Sequence, residues 1–448
     1  MKWESNQHSL AVADPEIDEV LDLNSGSLIS ARDVIGSDYS KAISLRMELR
    51  TAIDRGDPIY VCPLCYVPVH LVSRMEVRLF HFRHEIEDGR CPARTKGALS
   101  EAEINARKYN GAKESLAHIQ MKKIVAESLR CDPSFSDVAV EGRWRGRELG
   151  LWRKPDVQAI YRDIRIAFEV QLSTTFLRII AGRREFYLRE KGLLLWIFKT
   201  FNEDATRLSQ DDVFYNNNRN VFLVNEETLR ISRETDVFTL ECRWAKPTYV
   251  NGRTISHIEK RMVQFSELTL DRDRQRVFFF DYDRQAGIQA SDADRALREK
   301  FESFWLSERT YDEYDKVSWA DIRTKFRARG IVLPRNPSDG DGPIYLLNAL
   351  YSAKYGQPIG WRFKKLIEVA HCIHDGHKSV FRAFRNAVFF FNRIDQILSE
   401  DVSGKWKKKA NYYKRLLKED NPEYTMDHRF DNLVALLFPE ISELGKLD

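Results

Sequence analysis

The spacing of apolar positions changes period several times along the chain. Residues 19–23 and 27–29 alternate around Asn24-Ser25-Gly26 and predict a small hairpin. Residues 40–55 carry Ile43, Leu45, Met47, Leu49 and Ile53 at helical spacing and stop at Gly56. Strand-like runs follow at 67–72 and 77–82. A helix is predicted from about 109 to 129, with Leu116, Ile119, Val125 and Leu129 as its apolar surface. Residues 137–144 read as a strand, and residues 153–171 as two strands meeting at Arg162-Asp163. A helix capped by Ser173 or Thr174 ends near Gly192, and 193–198 is apolar throughout, as a strand buried on both faces would be. Because that helix makes a crossover, 193–198 should run parallel to its partner strand. Runs at 221–224, 237–244, 260–270 and 277–282 predict a β-rich region. Helices are predicted at 291–306, 344–355, 361–374, 379–398 and 406–417, with 334–343 as a loop. The expectation is an α/β chain in five parts: 1–56, 57–100, 101–205, a β-rich 206–285 and a mainly helical 286–448.

The pair of strands at 153–171 has an unusual face. With a two-residue turn at Arg162-Asp163, Tyr161 meets Ile164, Asp156 falls opposite Glu169 and Lys154 opposite Gln171. Alternation puts Val157, Ala159, Tyr161, Ile164, Ile166, Phe168 and Val170 on one side. Lys154, Asp156, Gln158, Glu169 and Gln171 take the other. Carboxylates directly across a ladder repel. Either a divalent cation such as magnesium or manganese joins them, or they are two acids on a wet surface.

Chemistry of another kind is concentrated upstream. Cys62 and Cys65 are two apart, His81-Phe82-Arg83-His84 ends a strand-like run, and Cys91 follows shortly after. A Cys-x-x-Cys turn and ligands returned by a hairpin suit tetrahedral zinc. Cys62, Cys65 and Cys91 with either His81 or His84 would make a structural site holding a small module at 57–100. The other cysteines, Cys131, Cys242 and Cys372, are scattered, and six in 448 residues do not make a disulfide scaffold. No apolar run approaches membrane-spanning length and no leader pattern is visible, so a cytoplasmic, membrane-free protein is expected. A net charge of +4 does not by itself argue for nucleic acid, so any basic footprint must be local.

Local candidates exist. Arg143, Trp144, Arg145, Arg147, Trp152, Arg153 and Lys154 interleave bases with aromatics, and the helix after Gln171 presents Arg183, Arg184, Tyr187 and Arg189. Glu114, His118 and Lys122 share a helical stripe, which is either a solvated face or a third acid pointed at the carboxylates. His371, His374 and His377 mark a helix end rather than a metal site. Lys405-Trp406-Lys407-Lys408-Lys409 with Tyr412-Tyr413-Lys414-Arg415 is a second basic patch, either a nucleic-acid contact or a wet helix face. The C-terminal half is expected to bind a target or partner protein.

The order helix, three strands, helix, strand with Lys154-Pro155-Asp156 and Glu169-Val170-Gln171 resembles the PD-(D/E)XK nuclease superfamily and its restriction-endonuclease-like core. More closely, residues 61–198 are similar to the CoiA-type competence proteins. The shared motifs are Cys62-Pro63-Leu64-Cys65, His81-Phe82-Arg83-His84, Glu114-Ser115-Leu116-Ala117-His118, Asp156-Val157 and Glu169-Val170-Gln171-Leu172-Ser173. The resemblance implies metal-dependent cleavage of DNA, single- or double-stranded, after a zinc-ribbon-like module; DNA uptake and processing in competence, recombination and phage defence are all compatible settings. Asp156 and Glu169, helped by Glu114, would hold magnesium or manganese. The superfamily lysine two residues after the second acid is here Gln171, as in the CoiA-like subgroup. Lys154, across the ladder from Gln171, is expected to supply the charge, with His118 assisting. The departure at Gln171 keeps open a relative that binds DNA without cutting it.

Overall fold

The computed structural model describes residues 9–74, 78–87, 91, 116–147, 151–171, 177–204, 206–250, 252–307, 314–418, 424 and 427–442. They divide into two units, Met1–Thr248 with Ile255–Ala286, and Tyr249–Thr254 with Gly287–Asp448.

The first unit begins with β1 (Glu19–Asp22) and β2 (Leu28–Ser30), paired Leu21 to Leu28 around the expected Asn24-Ser25-Gly26 turn. Gly26 adopts a φ of 70°, which suits glycine. A short helix α1 (Ala31–Ile35) leads to α2 (Tyr39–Arg55), which runs from an Asp38 N-cap to a left-handed Gly56. After β3 (Tyr60–Val61) come β4 (Val69–Arg74) and β5 (Leu79–His84), an antiparallel hairpin.

The chain then runs through α3 (Leu116–Cys131), β6 (Phe135–Val140), β7 (Trp144–Arg145), β8 (Trp152–Arg153), β9 (Val157–Tyr161), β10 (Ile164–Gln171), α4 (Leu177–Arg189) and β11 (Leu193–Phe198), of which β6, β9, β10 and β11 enter the central sheet. It continues through α5 (Leu208–Asn216), β12 (Asn220–Leu223), α6 (Glu226–Thr235), β13 (Thr239–Val250) and β14 (Arg253–Gln264). The strand order is β14-β13-β12-β11-β10-β9-β6. β11 lies parallel to β10, as the α4 crossover requires, and β12 parallel to β11, while β9 and β6 are antiparallel additions. The ribbon of β7 and β8 stands apart as a separate pair.

Apolar residues cover both faces of the sheet. Met121, Ile124, Val125 and Leu129 of α3 pack with Val157, Ala159, Tyr161, Ile166 and Phe168 on one side. On the other, Ala167, Leu194, Trp196 and Phe198 join Met47 of α2, Ile180, Phe186 and Tyr187 of α4 and Phe214 of α5. Strand β11 therefore contributes a buried residue at every position, at roughly 1.5–3 kcal/mol for each large apolar side chain. The hairpin of β4 and β5 shares this second core through Val69, Leu71, Phe80 and Phe82, so the Cys/His region is not a free-standing module.

Three expectations change. The segment 206–285, read as β-rich, also holds α5 and α6, and β12 to β14 extend the same sheet instead of forming a region of their own. The strand read over 137–144 breaks after Val140, where Glu141 turns to a φ of 51°. In the second unit the helix read over 379–398 is split into α11 (Phe381–Phe390) and α12 (Ile394–Glu400) by Asn392, which has a φ of 55°.

The second unit's helices begin with α7 (Tyr282–Ser307), whose start lies in the first unit. They continue with α8 (Lys316–Arg327), which the sequence reading passed over, α9 (Ile344–Tyr355) and α10 (Leu366–Gly376). Helix α13 (Lys405–Lys418) follows α11 and α12. Trp305, Trp319, Leu347, Leu350, Phe384 and Tyr413 lie in their common core. Among the described residues, no helix is long and apolar enough to cross a membrane.

Candidate functional site

Two polar centres stand out in the first unit. The first is built on the β3–β4 turn and the hairpin. Cys62 and Cys65 bracket a tight turn, β5 ends in His84, and Cys91 returns to the same point. The four ligand atoms all lie within 4.8 Å of one another. The Cys62 and Cys91 Sγ atoms are 3.8 Å apart. A tetrahedron with zinc–sulfur bonds of about 2.3 Å has an edge of about 3.8 Å, so three thiolates and one imidazole match a structural zinc site. Burial and the neighbouring Cys91 and Cys62 thiols push the Cys65 thiol up to about 11. A cation is what would let these sulfurs ionise together. The histidine left open by the sequence is settled by strand parity. Phe80, Phe82 and His84 point inward, whereas His81, three residues before His84, is on the opposite face. The alternation of a strand running on to His84 carries that parity in the sequence itself.

This centre supports the second one through α2. Arg46 donates to Leu71 O at 2.9 Å and pairs with buried Asp212 at 3.1 Å, and Arg50 clamps Glu85 beside the hairpin. Arg55 at the end of α2 reaches Glu185 of α4 at 2.6 Å.

The second centre lies at the open end of β9 and β10. Tyr161 pairs with Ile164 and Val157 with Phe168, the register expected from a two-residue turn. One step further, the ladder gives way to a side chain. The Val170 N–H donates to Asp156 Oδ2 at 2.8 Å, and Asp156 is the charge neighbour of Glu169. The polar face of this pair is not wet. Helix α4 covers it, leaving Glu169 1% and Gln171 5% exposed. Arg183 Nη1 lies 2.7 Å from Glu169 Oε2, and the Tyr187 hydroxyl donates to Oε1 at 3.3 Å. Neither Gln171 Nε2 nor Oε1 has a hydrogen-bond partner among the described residues.

The two acids are driven apart in acidity. Burial raises Glu169 to about 8; Asp156 beside it adds to the rise, and Arg183 and Tyr187 oppose it. Burial also acts to raise Asp156, but the His118 imidazole 3.2 Å away, the Val170 N–H and Arg183 outweigh it, and its carboxyl falls below the usual range. Environments that split two carboxylates in this way are common in functional sites.

The stripe on α3 is not a solvated face. His118 meets Asp156, and Lys122, one turn on, is buried against Glu141. Glu114 lies outside the described residues. Lys154 does not meet Gln171 across the ladder, because β9 starts only at Val157. Its ammonium bonds Glu141 instead. Glu141 thus gathers both lysines, a role no local pattern announced. Lys154 nevertheless borders a cleft of about 440 Å³ formed with Leu151, Trp152, Arg153, Glu169 and Arg183.

Of the expected nucleic-acid contacts, Arg153 and Arg183 reach this cleft. Arg184, 100° further round α4, turns away and donates to Arg274 O at 2.8 Å. Tyr187 is fully buried with its ring on Trp144, so it braces Glu169 rather than a ligand. In the second unit, Trp406 and Tyr413 are core residues, while Lys405, Lys407 and Lys408 are exposed on α13, a placement that fits both a wet helix face and a nucleic-acid contact. His374 is buried between Asp375 and the Tyr424 hydroxyl near the end of α10, in keeping with a helix-end cluster. A larger cavity of about 920 Å³ runs past Asp341, His377, Lys378, Arg382 and Arg429. Asp427 pairs with Arg429 and Asp431 with His428 there, and no partnerless buried group converges on it among the described residues.

No curated protein and no solved structure matches the chain. Three domain families match it in succession: residues 26–98 a domain of unknown function (DUF7830), residues 100–283 another (DUF6035) and residues 345–440 a third (DUF7829). The chain is thus similar to three uncharacterised families, the first enclosing the Cys62, Cys65, His84 and Cys91 cluster and the second the sheet with Asp156, Glu169 and Gln171.

Proposed function

We propose that this protein is a metal-dependent nuclease that hydrolyses DNA phosphodiester bonds, with a structural zinc site bracing the catalytic unit. The observation that carries the reading is the group of half-buried Asp156 and buried Glu169 and Gln171, whose amide has no hydrogen-bond partner among the described residues, beside a cleft edged by Lys154, Arg153 and Arg183. Two carboxylates and an amide oxygen are the hard donors that magnesium or manganese takes. The order of α3, β6, β9, β10, α4 and β11 supports the reading, as does the resemblance to CoiA-type proteins and the PD-(D/E)XK superfamily.

Asp156, Glu169 and the Gln171 amide would hold the ion, which supplies Lewis-acid polarisation of the phosphate and a more acidic water. The chain's own residues do the rest. His118 and the Val170 N–H fix the Asp156 carboxylate in its ionised form. Arg183 balances the charge of Glu169 and faces the cleft. Lys154, held by Glu141 at the rim, places a cation where a phosphate would enter, the role expected of the superfamily's missing lysine.

A second reading is a nucleic-acid-binding or assembly protein that keeps the nuclease fold and does not cut. It is favoured by the 2.7 Å contact through which Arg183 already neutralises Glu169. Incubating the purified chain with single- and double-stranded DNA, with and without magnesium, separates the two. Magnesium-dependent cleavage lost in Asp156→Ala supports the first; no cleavage and an unchanged phenotype in Asp156→Ala support the second.

A further inference from the structure

The sequence offered two tryptophans to a nucleic acid, and the structure treats them oppositely. In the β7–β8 ribbon, Trp144 pairs with Arg153 and Arg145 with Trp152. Alternation sends Trp144 inward, where it is 2% exposed against Tyr187 and under the Arg165 guanidinium. Trp152 goes outward and is 45% exposed, with Leu151 beside it at 42%. The Arg143 guanidinium sits 4.4 Å from the Trp152 ring centroid, and Arg145 and Arg147 are exposed on the same ribbon. An indole left this open forgoes burial that would stabilise the fold, and a ring bordered by arginines suits a base with its phosphates.

We propose that Trp152 is a stacking platform for an unpaired base, and that the DNA this site takes is single-stranded; this rests on the nuclease reading above. Trp152 is a wall of the same cleft of about 440 Å³ whose floor is Glu169. A space of that size admits a nucleotide-sized group. A base on Trp152 puts its neighbouring phosphate among Arg153, Lys154 and Arg183, next to the acids. Arg143, behind the ring, holds the indole in place and adds charge. A duplex, whose bases are already stacked, has no face to offer this ring.

The test measures affinity by fluorescence anisotropy in calcium with the full chain and two probes, an oligothymidylate of about twenty nucleotides and a mixed-sequence duplex of the same length. Trp152→Ala should weaken oligothymidylate binding roughly tenfold while duplex binding stays within about twofold, and Trp152→Phe should recover most of the loss. Because the side chain is exposed, both variants should keep the wild-type unfolding temperature. Equal losses on both probes, no loss on either, or a wild-type preference for the duplex overturns the platform. Cleavage in magnesium keeps the two ideas apart. Preferential cutting of duplex, unaffected by Trp152→Ala, sinks this inference and leaves the nuclease standing. Trp152-dependent binding of single strands without any cleavage upholds the platform and sinks the nuclease.

Discussion

Replacing Gln171 with methionine should make the protein more stable and less functional. Gln171 is 5% exposed, and both polar atoms of its amide lack a hydrogen-bond partner among the described residues. A buried donor or acceptor left unpaired costs about 1–3 kcal/mol, and an apolar side chain of similar volume removes that cost. Two such atoms set the upper limit, and imperfect packing of the thioether lowers it, so a net gain of about 1–3 kcal/mol is expected. For a unit of this size that is roughly 2–6 °C in unfolding temperature. The assay is thermal and urea unfolding in buffer free of magnesium, with zinc retained. Adding magnesium should then stabilise wild type more than Gln171→Met, and Gln171→Met should lose most magnesium-dependent cleavage. A variant destabilised by more than about 1 kcal/mol would refute the reasoning, because the amide would then have been paired in the protein.

Four further outcomes are expected. Metal analysis should find one zinc per chain; His84→Ala and Cys65→Ser should lose it and lower the unfolding temperature, whereas His81→Ala should keep it, its side chain being on the other face of β5. Lys154→Ala should abolish cleavage while magnesium affinity, read by calorimetry, is unchanged; cleavage near the wild-type rate would remove Lys154 from the mechanism. Because the Glu169 carboxyl is raised from 4.5 to about 8, its contribution to the stability of the magnesium-free protein is complete below pH 4.5 and lost as pH rises through about 8. Magnesium must displace that proton, so its affinity should climb with pH up to about 8 and level off above it, and a flat profile would contradict the shift. Gly192→Ala should cost about 1–3 kcal/mol in urea unfolding, since an added Cβ would sit 2.5 Å from the ring of Trp144, which Tyr187 and Arg165 hold in place.

Wherever a feature depends on neighbours in the chain, it could be read from the order of residues. The β9–β10 register followed from one polar break at Arg162-Asp163 and a period of two. Strand β11 was evident from an uninterrupted apolar run, α2 from its spacing and its terminal glycine, and three of the four Cys/His ligands from their spacing. The tertiary structure decided what covers each face. Gln171 and Glu169 would have been wet residues on a free hairpin, and only tertiary packing buries them and makes the Gln171 amide, without a hydrogen-bond partner among the described residues, informative. The same limit applies to the aromatics: Trp144 and Trp152, or Tyr412 and Tyr413, are alike in sequence, and burial by distant segments sorts each pair into core and surface. Lys154 marks the boundary between the two kinds of knowledge. Alternation alone aimed it at Gln171, but a strand that begins at Val157 cannot carry the ladder that far, and Glu141, from the end of β6, holds its charge at the cleft rim instead.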